Sequence, residues 1–386
     1  MTDSLFKMSR SADQSVMEGQ AAIELWLQGK SAWNRWATSH KGWYVNFEGF
    51  DFPSYLTAAH VRNPSVDFSG YIFPGPTIFH EAKFGDTPVR FVGAIFQNGF
   101  SDFTSCQFGN GDISFFTADF GHGSLRFDNS IFGTGHVNFM SAIFGRKGET
   151  SFHSVTFNGP VSFHGAHFDS LNRVSFYGAS FARSVAFSEV TSSNVIDLRG
   201  TRLTHSLNLD DCAIGLTRHR IGLFRRARND DDVSCFRRLK QLAVESKDHL
   251  LEQDFFRKEQ LAARFWETKG IALLPSFLYE WLSDFGRSIL RPTVFLACVF
   301  LISACAYYWM ANPQSRTSEA AIVFSAAQLF GISPWASEAK NFGLALLFGK
   351  LEFVPFGVQI IALTESILSV VSLFLIGLGF RNRFRL

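Results

Sequence analysis

Residues 90–120 read RFVGAIFQNGFSDFTSCQFGNGDISFFTADF, and the spacing of their phenylalanines limits what the chain can become more than any other feature. The anchors Phe91, Phe96, Phe103, Phe108, Phe115 and Phe120 alternate steps of five and seven, and the series runs from Phe79 through Phe127, Phe132, Phe139 and Phe144 to Phe187 with longer steps of six to eight. Each five-residue step has the form F-x-x-small-x-F, the small residues being Ala82, Ala94, Cys106, Ala118, Ser130, Ala142, Val155, Ala166 and Ala179. A step of five carries successive anchors around a helix of 3.6 residues per turn, so no helical face collects them. On a flat strand an odd step alternates faces. A coil that turns a corner every five residues keeps every anchor inside with the small residue beside it, and the Gly, Asn, Asp and Ser residues after every second side can bulge at a corner.

The same frame fits Phe47 to Phe52 and Phe68 to Phe73 upstream, and continues with aliphatic anchors from Leu198 to Leu203 and from Leu209 to Ile214. Over residues 45–215 this pattern resembles the pentapeptide-repeat family, specifically its Phe-rich branch. The resemblance implies a right-handed four-sided β-helix. About 28 sides then make about seven coils, roughly 34 Å long at the usual inter-strand spacing. Burying one Phe contributes about 1.5–3 kcal/mol, so the ladder is the main stabilising term against chain entropy. The phenylalanines are thus read as the core of a solenoid rather than as a ligand site.

Composition adds bounds. The chain has 386 residues, 46% hydrophobic and 18% charged, which suits several folded units and excludes a disordered chain. A net charge of +2 gives no reason to expect nucleic acid or an acidic substrate for the chain as a whole. The five cysteines, Cys106, Cys212, Cys235, Cys298 and Cys305, show no disulfide or zinc spacing and read as small apolar residues in a reducing compartment. The first residues, MTDSLFKMSRSADQS, have no apolar run behind their charges, so no secretory signal is expected.

Around the repeat, residues 1–44 are expected to form a helical cap, with Ile23, Trp26, Leu27, Trp33 and Trp36 at helical spacing in residues 16–38. Residues 216–277 carry dense charge and apolar residues at Phe236, Leu239, Ala243, Leu251, Phe255, Ala262 and Phe265, which predicts a helical hairpin with Ser246 as an N-cap between its helices. Its basic patch, Arg225, Arg226, Arg228, Arg237, Arg238 and Lys240, is suited either to anionic lipid headgroups or to a solvated helix face. An interfacial helix is expected over 278–291, with Trp281 and Phe285 beside Arg287 and Arg291. Two apolar runs, 292–311 and 357–380, have the length a transmembrane helix needs. Arg287 and Arg291 precede the first, and Arg381, Arg383 and Arg385 follow the second. The segment 312–356 between them balances Arg316, Lys340 and Lys350 against Glu319, Glu338 and Glu352. That bias places both flanks, and the solenoid with them, in the cytoplasm, and the loop with its short helix outside it. The expected fold class is therefore mixed: a right-handed four-sided β-helix, an α-helical hairpin and two transmembrane helices.

From FRRLKQLAVESKDHLLEQDFFRKEQLAARFWE to the closing LGFRNRFRL, the C-terminal part is similar to that of bacterial membrane-anchored pentapeptide-repeat proteins, which implies the inner (plasma) membrane. Some relatives resemble two-span potassium channels with a pore helix between spans. EAAIVFSAAQLFG (319–331) takes that position here as a short re-entrant or surface helix, but ISPWASEAKNF, which follows it, has no TxGYG-like filter, so potassium selectivity is not encoded.

Glu365 lies inside the second apolar run, where a carboxylate is costly. Glu365, Ser369 and Ser372 share one helix face, with Ser366 and Gln359 nearby. Two readings stay open: a polar seam lining a pore or an oligomer interface, and a glutamate that merely hydrogen-bonds to the neighbouring helix. Ala297, Ser303, Ala304 and Cys305 would permit close helix packing. His164 and His167 in FHGAHF have no third ligand nearby and read as surface residues; no GxSxG or GxxxxGK[ST] motif occurs. No enzyme activity and no cofactor are expected.

The expected function is a membrane-anchored scaffold, a cytosol-facing solenoid held at the lipid bilayer and presenting its sides to an unidentified protein partner. The alternative is a homo-oligomeric channel or membrane-perturbing effector gated through the solenoid. DNA mimicry, as in topoisomerase-protecting pentapeptide proteins, ranks last, since residues 47–214 hold 15 acidic against 10 basic side chains, too weakly acidic for a mimic. No nucleic-acid partner is expected.

Overall fold

The computed structural model describes residues 15–58, 65–145, 147–168, 173–314, 317–329, 334–349 and 354–384. The chain divides into two units between Ala263 and Arg264.

The first unit is a solenoid of very short parallel strands. Gln107–Phe108 pairs with Ile131–Phe132, which pairs with Thr156–Phe157; on another sheet Val89–Arg90, Ile113–Ser114 and Val137–Asn138 follow one another in the same way. The longest sheet has eight strands. Two others have six each, and a four-stranded and a two-stranded sheet are linked by single bridges through Asp119. Because each strand sits directly on its equivalent, each phenylalanine sits on another. Phe91 stacks on Phe115 at 4.9 Å, and Phe115 on Phe139 at 4.8 Å; Phe96 on Phe120 at 5.0 Å, and Phe120 on Phe144 at 5.4 Å. Phe103 stacks on Phe127 at 4.7 Å and Phe108 on Phe132 at 4.4 Å. Neighbouring ladders meet edge to face, as Phe103 and Phe115 do at 87°, the arrangement the ring quadrupole favours. All ten of these rings are buried.

The small residue of each repeat has a steric reason. At Phe79 the carbonyl accepts the Ala82 N–H at 2.9 Å, closing a turn whose third residue, Glu81, has φ +57°. Ser105, Thr117, Asn129, Ser141, Ser154 and Glu189 occupy the same left-handed position with φ between +54° and +58°. For an L-residue that conformation costs about 1–2 kcal/mol. Gly93, Gly165 and Gly178 fill it at other coils. The residue that follows, Ala82 in the first case, then points into the packed interior.

Two elements differ from the sequence expectation at the N-terminal end. Residues 16–38 are not one helix: Val16–Glu18 forms the first strand of the eight-stranded sheet, beside Tyr44–Asn46, and the helices α1 (Gly19–Leu27) and α2 (Lys30–Ser39) follow. Gly29, at φ +87°, breaks them apart. They close this end of the core through Trp26, which stacks on Phe68 at 5.4 Å, and Trp33, whose indole N–H donates to the Ile72 carbonyl at 2.9 Å. Leu27 faces solvent instead. A short helix α3 (Phe52–Ala58) leaves the solenoid after the buried Phe52.

At the other end, residues 218–227 are a β-hairpin rather than a helix: Arg218–Ile221 pairs antiparallel with Phe224–Ala227 around Gly222, at φ +58°. Glycine at the first central position of a two-residue hairpin turn is the reason. Helices α4 (Asp232–Glu245) and α5 (His249–Ala263) then form the helical hairpin. Ser246 ends α4, and Asp248 caps α5, accepting the N–H groups of Leu250 and Leu251 at 3.0 Å. Asp231, at the start of α4, binds Arg173 at 3.1 Å and Arg199 at 3.0 Å, and Arg199 also holds Asp197 at 2.8 Å. This ion network fastens α4 to the last coils.

The second unit is helical. Helix α6 (Leu273–Ser283) is held by Arg264, which is buried, ion-paired with Glu280 and stacked 4.3 Å over the Phe277 ring. Helices α7 (Leu290–Met310) and α10 (Phe356–Arg383) are both long and apolar enough to span a membrane. They run antiparallel: Gly357 lies against Met310, and Gly379 against Ile289. Between them in sequence come not one short helix but two, α8 (Ser318–Leu329) and α9 (Pro334–Phe348). Helix α8 packs back along α7, with Phe324 edge-on to Tyr307 at 4.7 Å, and Gly343 of α9 leaves room for Phe324.

Candidate functional site

The two units offer different surfaces, and each is built from its own residues. In the helical unit the polar groups converge inward. Glu365 on α10 is 1% exposed. Its Oε2 accepts the Tyr307 hydroxyl of α7 at 2.7 Å, and its Oε1 is hydrogen-bonded to the Ser325 hydroxyl of α8. Ser325 Oγ also lies 3.1 Å from the Phe300 carbonyl. Ser325 thus links the Glu365 carboxyl of α10 to the backbone of α7. Four residues and seven residues further along the same face come Ser369 and Ser372, both buried. Ser372 donates to the Leu368 carbonyl at 2.7 Å, whereas Ser369 Oγ has no hydrogen-bond partner among the described residues. Ser366 donates to the Gln328 amide oxygen at 3.0 Å.

Of the five residues that the sequence groups in a polar seam, the structure brings four together; Gln359 is exposed and donates to the Val354 carbonyl at 3.3 Å. The seam faces α7 and α8 of its own chain. Ser303, Tyr307, Ser325 and Gln328, all buried, belong to it; the sequence marks Ser303 only as a packing residue, and the other three escape sequence reasoning, because no periodicity in one helix names its partners in another. The signal that was available is the position of Ser325 and Gln328 on one face of α8. The outward face is the opposite in character. Ile360, Leu363, Ile367, Val370 and Phe374 of α10, and Val294, Leu301, Ile302 and Trp309 of α7, are exposed.

The basic residues separate into three groups. Arg237 and Lys240 of α4 both bind the buried Glu259 of α5, at 3.0 and 2.5 Å, and Arg238 pairs with Glu245 at 3.8 Å. They hold the helical hairpin together instead of forming an open patch. Arg225 and Arg226 lie on the β-hairpin. Arg287 and Arg291, before and at the start of α7, and Arg381 and Arg383, at the end of α10, fall at one end of the antiparallel pair, where Asn382 donates to the Gly286 carbonyl at 3.2 Å. Arg385, Arg316, Lys350 and Glu352 lie outside the described residues. His164 and His167 are hydrogen-bonded to Ser188 at 3.0 Å and Thr191 at 2.7 Å, one coil on. Among the described residues no three His, Cys, Asp or Glu side chains are grouped as metal ligands would be.

No family model matches the chain, and no curated protein or solved structure does either.

Proposed function

We propose that the chain is a membrane-anchored scaffold of the pentapeptide-repeat type. In this reading the stacked strands form a right-handed, four-sided β-helix, α7 and α10 span the inner membrane of a bacterium, and the solenoid stands in the cytoplasm offering its sides to another protein. The observation that carries the anchoring is inverted polarity. The spanning windows of α7 and α10 are only 22% buried, their exposed faces are aliphatic and aromatic, and their buried face holds Glu365 and the serines. In water such a surface would be a severe aggregation liability, and in a bilayer it is the favoured arrangement. The four arginines at one end of the pair suit a cytoplasmic interface. The solenoid, packed with phenylalanine inside and set with Ile95, Ile131 and Tyr177 on its outer faces, suits binding rather than chemistry. The channel reading gains nothing from Glu365, whose carboxylate is turned into its own chain.

The experiment is proteolysis of oriented membrane vesicles. Inside-out vesicles are expected to release a β-rich soluble fragment ending near Ala263, and right-side-out vesicles to protect it. Release from the opposite face overturns the cytoplasmic orientation, and recovery of the intact chain in the supernatant after alkaline extraction sinks the anchoring. A photo-crosslinker at Ile131 or Tyr177 tests the scaffold: one discrete adduct in cells supports it, and none at either position argues against it.

A further inference from the structure

The hairpin Arg218–Ile221 and Phe224–Ala227 is built against its own electrostatics. Among its cross-strand pairs, Arg220 lies directly opposite Arg225. Like charges directly opposite each other destabilise a two-stranded ladder. Residues 217–228, TRHRIGLFRRAR, contain five arginines, one histidine and no acidic residue. The tip is the reverse of a soluble turn. Leu223 is 90% exposed, and Ile221 and Phe224, paired across the strands beside it, are exposed as well. The base is fixed, with Ala227 buried and the Arg228 N–H donating to the Thr217 carbonyl at 3.2 Å. An apolar tip thus projects from a rigid base through a collar of guanidinium groups.

We propose that this hairpin docks on an anionic lipid surface, with Ile221, Leu223 and Phe224 entering the boundary between headgroups and acyl chains while Arg220 and Arg225 bind lipid phosphates. A phosphate layer removes the repulsion between opposed arginines, and the acyl boundary removes three apolar side chains from water. The tip decides against nucleic acid, which would satisfy the arginines and leave Leu223 in solvent. This contact lies in the first unit and does not depend on insertion of α7 and α10.

The test uses the full chain with Leu223→Cys labelled by the polarity-sensitive fluorophore NBD, in a Cys298→Ala, Cys305→Ala background. It is incorporated into nanodiscs of phosphatidylcholine, alone or mixed with phosphatidylglycerol. A blue shift and intensity gain in the phosphatidylglycerol discs only is expected, with Arg220→Gln and Arg225→Gln each lowering the ratio of docked to free hairpin about fivefold. Water-like emission from chain that co-elutes with phosphatidylglycerol discs overturns the proposal. So does an equal shift in both lipids, or a larger shift on adding duplex oligonucleotide. If the chain fails to enter discs at all, the anchoring by α7 and α10 has failed, and the same emission measured with added phosphatidylglycerol vesicles still decides the hairpin.

Discussion

At the scale of single residues, Phe115 and Glu365 are buried for opposite reasons. Phe115 has a ring above and a ring below, at 4.9 and 4.8 Å, so truncation opens a void that the stack cannot close without breaking strand register. Phe115→Ala is expected to cost about 3–5 kcal/mol, and Phe115→Leu markedly less. Denaturant unfolding checks both, and equal losses would mean that the ladder is not close-packed. Glu365 is the meeting point of three helices. Glu365→Ala strands the Tyr307 hydroxyl in an apolar bundle, an expected loss of about 1–3 kcal/mol, while Glu365→Gln keeps a hydrogen-bonding group in place and should be close to neutral. Thermal unfolding in detergent separates them; a glutamine variant as unstable as the alanine one would mean that the charge itself is needed.

At the scale of elements, the joint between α4 and the last coils depends on ionisation. Burial pushes the Asp197 carboxyl up, but the Arg199 side chain and backbone N–H outweigh it and hold the carboxyl below the ordinary value of 3.8. Hydrogen bonds from Arg199 and then Arg173 lower Asp231 as well. A carboxyl lowered in the folded state binds protons more readily when unfolded, so its stabilisation is complete above the unfolded value and is lost as pH falls through the folded one. Asp232, raised by burial, works in the other sense. Melting temperature should therefore drop as pH falls from 3.8 downward, and Arg199→Gln should flatten that acid limb while lowering stability at neutral pH. An unchanged limb would remove the joint from the account. The sequence pattern made the solenoid legible because every coil repeats the same inward residue, so errors at one position are corrected by the next. It made the apolar helices legible by length alone. Residues 218–227 misled because dense arginine resembles an exposed helix; Gly222 between Ile221 and Phe224 was the hairpin signal. Ser246 and Asp248 both suit an N-cap, and only the backbone path selects Asp248. The pairing of Arg237 and Lys240 with Glu259 and the partners of Glu365 were not legible, since they join separate helices and no periodicity relates them.

At the scale of the whole molecule, the cysteines report on where each part resides. Burial pushes the Cys212 and Cys235 thiols up to about 12 and raises Cys106 further, so none of the three supplies thiolate at neutral pH. Cys298 and Cys305 lie on the outward face of α7. In intact membranes a charged maleimide should spare all five, and after denaturation it should modify all five. Rapid modification of Cys298 and Cys305 in native membranes would show that α7 is bathed in water. The register of the stacked strands has a further consequence. Arg126 pairs with Asp102, so excising residues 103–126 joins Asp102 to Phe127 in the place where Arg126 met it. Each coil touches only its neighbours, and both ends keep their covers. The shortened chain should fold and differ in length by one strand spacing, about 4.8 Å. Evolution, or an engineer, can thus adjust reach in fixed increments, treating this part of the molecule as a graduated spacer.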